Sequence, residues 1–269
     1  MRRVRWSGFS IFCFAITAFA LLFVGGNVAV IVLRGLQSLP ERIVEPETLF
    51  ALKTSVKCAC ISTLACFFLA VPTAYTLTRT SFPGRRVAEV FLELTMSLPY
   101  IVLGLSLLIL FSSPAGKWLK AMGFPVVFSQ NGIIVAQLLV NLPFAIKLCS
   151  AAFQGVDRKL ECVAGLLGAT PARQFLTILL PLSRTSLISA LILVWSRALG
   201  EFGATLMLVG VTRMKTETLP ASIYLAVSTN DLSGALASAF LLLCISTLSL
   251  AAANILTGLG QRKRSRYES

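Results

Sequence analysis

From Ser7 to Leu33 the chain runs for 27 residues without one charged side chain. A helix needs about 20 apolar residues to cross a hydrocarbon core, so this stretch alone limits what the chain can become. Five more apolar runs follow, over residues 56–77, 87–111, 132–153, 187–210 and 234–259. None shows the every-second-residue alternation of barrel strands, and in lipid an isolated segment satisfies its backbone groups only as a helix. With 56 % hydrophobic and 13 % charged residues, against about a quarter charged in a soluble domain, the expectation is an all-α integral membrane protein. It has six transmembrane helices in one domain spanning residues 1–269. The third run opens on Glu89 and Glu93 and contains Pro99. At the start of the second stand Lys53 and Lys57, which snorkel or lie outside the core.

The first run follows "MRRVR" and contains Ala18 and Ala20, which also fits a cleavable signal peptide. Its length favours an uncleaved span. Orientation follows from Lys and Arg in the connections. The N-terminus, residues 79–86, residues 157–186 and the tail "QRKRSRYES" hold 14 of the 24, and the three opposite connections hold six. Both termini and residues 157–181 are therefore expected in the cytoplasm.

The net charge of +13 is largely this topological excess, so no nucleic-acid partner is expected. The chain has no histidine, the commonest metal ligand and general base. The cysteines lack metal-site spacing and read as small apolar residues. No catalytic, metal or cofactor site is expected. There is no G-x4-GK-[ST] pattern for binding nucleotide phosphates; the only Gly-Lys pair is Gly116-Lys117. Energy must come from a partner or an ion gradient.

Between the fourth and fifth runs lies "LECVAGLLGATPARQFLTILLP", residues 160–181. Leu160, Val163, Ala164 and Leu167 give one apolar stripe on a short helix. Gly168 permits the left-handed residue that ends it. Thr170-Pro171 is a second helix start, with Thr as N-cap and Pro at the first position. Phe175, Ile178 and Leu179 form the next apolar face, and Pro181 is expected to stop or kink the chain. The plainer reading is an amphipathic pair lying on lipid headgroups. Its charges nearly balance, however, and a short projection with apolar knobs better fits a groove on a soluble partner.

The spacing Gly168, nine residues, Ile178, one residue, Leu180-Pro181 resembles the EAA loop (EAA-x3-G-x9-I-x-LP) of ABC importer permeases. In that family the loop is the coupling helix that docks on the ATP-hydrolysing subunit. The resemblance implies an ATPase-coupling role for Glu161, Cys162, Ala164, Gly168, Ala169, Thr170, Pro171, Ile178 and Pro181. The family's Glu-Ala-Ala falls on Cys162, Val163 and Ala164, with Glu161 one place early.

The fifth run ends in "WSRALGEFGATLMLVG". Arg197 and Glu201, four apart, are expected on one helix face, either as a structural ion pair or as lining of a path or dimer interface. Glu201 is bracketed by Gly200 and Gly203, where another helix can approach closely. Gly203 and Thr205 are further candidates, with backbone N–H and hydroxyl donors. "RALGEFGATLMLVG", "KTETLPASIYL" and "TSFPGRR" are similar to molybdate and tungstate permeases of the ABC superfamily. Sulfate permeases share "EFGA" more loosely. The resemblance covers most of the chain from Val56 onward. It implies a type I importer fold and a homodimer in the prokaryotic inner membrane, with two ATPase subunits inside and an oxyanion-binding protein outside. Two alternatives stand beside it: a sulfate or thiosulfate permease, and an ion-gradient-driven secondary transporter. The latter usually shows internal repeats, and no repeat relates residues 1–134 to 135–269.

Overall fold

A computed structural model describes residues 8–265, with side chains to Leu256. Among the described residues all regular structure is helical. The long helices are α1 (Gly8–Arg42), α2 (Pro46–Arg79), α6 (Gln130–Gln154), α9 (Leu180–Leu199) and α12 (Leu232–Ser265). Between them lie α3 (Arg85–Ser97), α4 (Tyr100–Ser112), α5 (Pro114–Ala121), α7 (Arg158–Leu166), α8 (Pro171–Gln174), α10 (Gly203–Val209) and α11 (Leu219–Ser228).

The apolar runs mark the part of each helix that suits lipid, and the helices continue beyond it. At 34 residues, α2 is about 51 Å long, well over the membrane core. It starts ten residues before the apolar run, so Lys53 and Lys57 sit exposed one turn apart on its first part. Its buried face is a row of small residues, among them Ala51, Ser55, Cys58, Ala59, Ser62, Cys66, Ala70 and Ala74. Small residues let backbones approach, and α2 packs most extensively on α6. Cys58, Cys66 and Cys149 serve here as small core residues.

Two expected spans are broken. The third is a bent pair: α3 and α4 meet at 107°. Pro99 has no N–H and forces the preceding residue out of helical geometry, and Leu98 sits at φ −73°, ψ 142°. The fifth ends at Leu199 rather than Gly210, and α10 begins afresh at Gly203. The sequence reading ran a continuous helix through Gly200-Glu201-Phe202 because no single residue there forbids one.

Pro181 does not stop the chain. Residues Pro171–Leu199 pass as one helix, with a π-helical turn at Phe175–Leu179 directly before the proline. The wider turn accommodates the ring that would clash with the carbonyl four residues back. Phe175 in that turn packs edge-on against Tyr75 of α2 at 5.2 Å and Phe153 of α6 at 6.1 Å.

At the far end from α7, Arg42 at the end of α1 meets Asp231 at 3.0 Å and Glu45 at 3.0 Å. Asp231 accepts from Gly234 N at 3.1 Å and so caps α12.

Candidate functional site

Two places gather the sequence's candidate residues. The first is the hairpin of α7 and α8. Asp157 caps α7 by accepting from Lys159 N at 2.9 Å. The helix closes as a Schellman motif: Ala169 N donates to Ala164 O at 2.9 Å and Gly168 N to Gly165 O at 3.0 Å. Gly168 has φ +87°, the conformation its position was expected to need. Thr170 Oγ accepts from Arg173 N at 3.3 Å, with Pro171 opening α8. Gln174 Nε2 donates back to Ala169 O at 2.9 Å, bracing the turn.

The apolar side chains of the hairpin face away from the helical bundle. Leu166 and Leu167 are 89 % and 83 % exposed, and Leu160 and Val163 are about half exposed. Cys162 and Pro181 are exposed, while Ala164, Ala169 and Ile178 are half-buried. Glu161 turns the other way and is buried against Arg79. Its carboxylate is thus used inside the chain. Arg158, the first residue of α7, donates to Thr78 O at the end of α2. The sequence reading missed Arg79 as part of this site, and nothing local to residues 157–181 points to it.

The second place is where the two broken spans meet. The helix α9 ends at Leu199, and Gln137 Nε2 of α6 donates to Ala198 O in its last turn at 2.9 Å. Gln137 is itself fixed by Ser62, whose hydroxyl donates to Gln137 Oε1 at 2.8 Å. Beyond the break, Glu201 caps α10 by accepting from Ala204 N at 2.7 Å and Thr205 N at 3.2 Å, and from the Thr205 hydroxyl. These bonds satisfy orphan groups on both sides of the break, as irregular backbone at membrane depth requires. Gln137 lies seven residues into α6, roughly 10 Å along its axis.

Arg197 and Glu201 do not pair. Among the described residues the ion pairs do not include them, because the helix that would stack them ends between them. Arg197 donates to the Tyr100 hydroxyl, and its guanidinium lies 4.7 Å from the Phe144 ring centre and 5.6 Å from that of Tyr100. Tyr100 is the first residue of α4, just past the other break. Gly203 faces it as well: a Cβ added there would lie 3.2 Å from Tyr100 Cβ. Gly104 brings α4 still closer to α10, with 2.5 Å between a built Cβ and Ala204 O. The structure therefore gathers Arg197, Gly203 and Tyr100 at the junction and sets Glu201 and Thr205 into the cap of α10. Gln137 and Asn141, polar and four apart in an apolar run, were the available signal for the junction's hidden support.

The sequence of residues 67–265 matches the family described as binding-protein-dependent transport system inner membrane component. The chain belongs to that family. It is a multi-span permease of the ABC importer type in the prokaryotic inner membrane, a transport component rather than an enzyme. The permease is 34 % identical over 224 residues to the molybdenum transport system permease protein ModB of Mycobacterium tuberculosis, covering 82 % of this chain and 84 % of that one. It is 31 % identical over 218 residues to the sulfate transport system permease protein CysT of Escherichia coli, covering 80 % and 79 %. In fold the permease is similar to a bacterial ABC transporter involved in the import of the acidic polysaccharide alginate. The TM-score is 0.67 at 15 % identity, covering 94 % of this chain and 95 % of that one. The type I importer fold expected from the resemblance is the fold observed.

Proposed function

We propose that the permease moves a tetrahedral oxyanion, molybdate or tungstate, delivered by an external binding protein and driven by a separate ATPase. Residues 157–181 are its cytoplasmic docking hairpin, both termini are cytoplasmic, and two copies of this single-domain chain form the path. The reading is carried by the α7–α8 hairpin. It is capped at each end, held to the helical bundle by buried charge, and presents Leu166 and Leu167 almost fully exposed. Exposed leucines on a rigid projection fit insertion into a groove of a soluble partner. The oxyanion class follows from likeness to ModB and, more loosely, to CysT. The latter favours sulfate as the second reading.

The test is co-expression with a candidate ATPase and binding protein from the same genome, reconstitution in vesicles, and uptake of labelled molybdate, tungstate and sulfate. Titration calorimetry of the binding protein with each anion ranks them. ATP-dependent uptake of molybdate or tungstate is expected. Sulfate uptake alone establishes the second reading, and uptake of none of the three rejects the oxyanion class.

A further inference from the structure

Arg197 carries a charge that proteins do not remove, in a helix surrounded by apolar ones. Such charges are costly at membrane depth and are normally met by a counter-charge or a water-filled path. Among the described residues no carboxylate lies within ion-pair distance of it. The nearest acidic residue in sequence, Glu201, has both oxygens taken up by the cap of α10. What Arg197 has instead is the Tyr100 hydroxyl and two aromatic faces, Phe144 at 4.7 Å and Tyr100 at 5.6 Å. Its Nε is buried and has no hydrogen-bond partner among the described residues.

Aromatic faces orient a guanidinium and offset part of its desolvation, while its in-plane N–H groups stay available. The group is positioned without being neutralised. We infer that Arg197 is an attachment point for the anion where it passes the junction of the two broken spans, and that Glu201 is no part of that attachment. This deepens the oxyanion reading above and rests on it. The fork of a guanidinium matches two oxygens of a tetrahedral anion. One fork alone holds such a dianion weakly enough to let it leave. The junction is also tight, with Gly203 against Tyr100, so a small inorganic anion fits the position better than a bulky organic one.

The experiment uses the whole transporter in vesicles, with molybdate as the probe, and reads uptake and ATP hydrolysis in the same sample. Arg197→Gln should lower uptake per ATP hydrolysed by roughly ten- to a hundredfold, the worth of a charge-assisted contact. The half-saturating molybdate concentration should stay unchanged, since the binding protein sets it. Arg197→Lys keeps the charge without the fork, so it should assemble normally and lose uptake per ATP by a smaller factor. Wild-type stoichiometry in both variants overturns the inference. So does loss of uptake only together with loss of the two-copy assembly on size exclusion, which makes Arg197 the counter-charge of a second copy. Where Arg197→Gln does not assemble, Arg197→Lys decides alone, and an unchanged ratio overturns the inference. Failure of wild-type vesicles to move molybdate, tungstate or sulfate is a different outcome and sinks the oxyanion reading itself.

Discussion

Arg79 Nε lies 2.8 Å from Glu161 Oε1, and the two side chains are 7 % and 11 % exposed. The same guanidinium donates through Nη2 to Phe153 O at 2.8 Å and Val156 O at 3.1 Å. One arginine at the end of α2 thus holds the last turn of α6 and the first turn of α7 together. Removing one member of a buried pair leaves an uncompensated charge, at about 3–5 kcal/mol. Glu161→Gln should therefore lower the melting temperature of the detergent-solubilised permease clearly. Arg79→Met/Glu161→Leu should recover part of that loss, though not all, because two carbonyls still lose their donor. Equal melting of Glu161→Gln and the wild type would show the pair to be dispensable.

Gly168 has open space where a Cβ would stand, so only its backbone conformation resists substitution. A β-branched residue at φ +87° costs on the order of 1–3 kcal/mol. Gly168→Val should leave membrane levels unchanged and weaken ATPase co-purification. Gly168→Asn, which tolerates positive φ better, should weaken it less. Equal recovery of the ATPase with all three chains contradicts docking through this hairpin.

The caps predict independence at the junction. Glu201→Ala removes the acceptors for the start of α10 and should cost about 0.5–2 kcal/mol. Arg197→Met should cost stability separately, and with no shared partner the two losses should add within roughly 0.5 kcal/mol. A double-mutant cycle in detergent measures this. Strong coupling between the two changes would restore the ion pair that the geometry denies.

Asp231 is held below the usual aspartate range, first by the Gly234 N–H it accepts from and then by Ser233 and Arg42. For a carboxylate whose folded pKa is depressed, the stabilisation is complete above the unfolded value, near ~3.9. It is lost as pH falls through the folded value. Asp231→Asn should therefore melt earlier than wild type at neutral pH, and the gap should close under acid. A gap independent of pH would mean that the charge of Asp231 plays no part.

Topology has a direct chemical check. Cys162 is exposed on α7. In a chain with its other cysteines replaced by serine, it should resist a membrane-impermeant maleimide in intact cells. The same reagent should modify it in inverted vesicles. Labelling from outside would invert the proposed orientation.

Much of this molecule was legible because the controlling physics is local. Apolar runs locate helices that must satisfy their own backbone. Gly168 followed by Thr170-Pro171 spells a helix end and a helix start, each within a few residues. The breaks were not legible for the opposite reason. At the break Gly200-Glu201-Phe202, Ala198 O takes a donor from Gln137, more than sixty residues earlier, beside its local bond from Glu201 N. Arg79 likewise reaches Glu161 across 82 positions. Periodicity also placed Arg197 and Glu201 on one face by assuming a helix that had already ended. The bend at Leu98 had a visible cause in Pro99, but prolines inside spans are common enough that its angle could not be read.

The π-helical turn at Phe175–Leu179 sets how the two parts of this helix are phased. An α-helix advances about 100° per residue, and one surplus residue in a widened turn is absorbed without rotating the flanks. The docking hairpin and Arg197 are thus clocked to one another as though the chain were one residue shorter. Deleting a single residue inside the turn should leave both ends facing as they do now. The same deletion between Leu187 and Val194 should swing Arg197 by that angle, away from Tyr100 and Phe144. A paired deletion scan along this helix, scored by uptake, reads whether that phase relation is needed for transport.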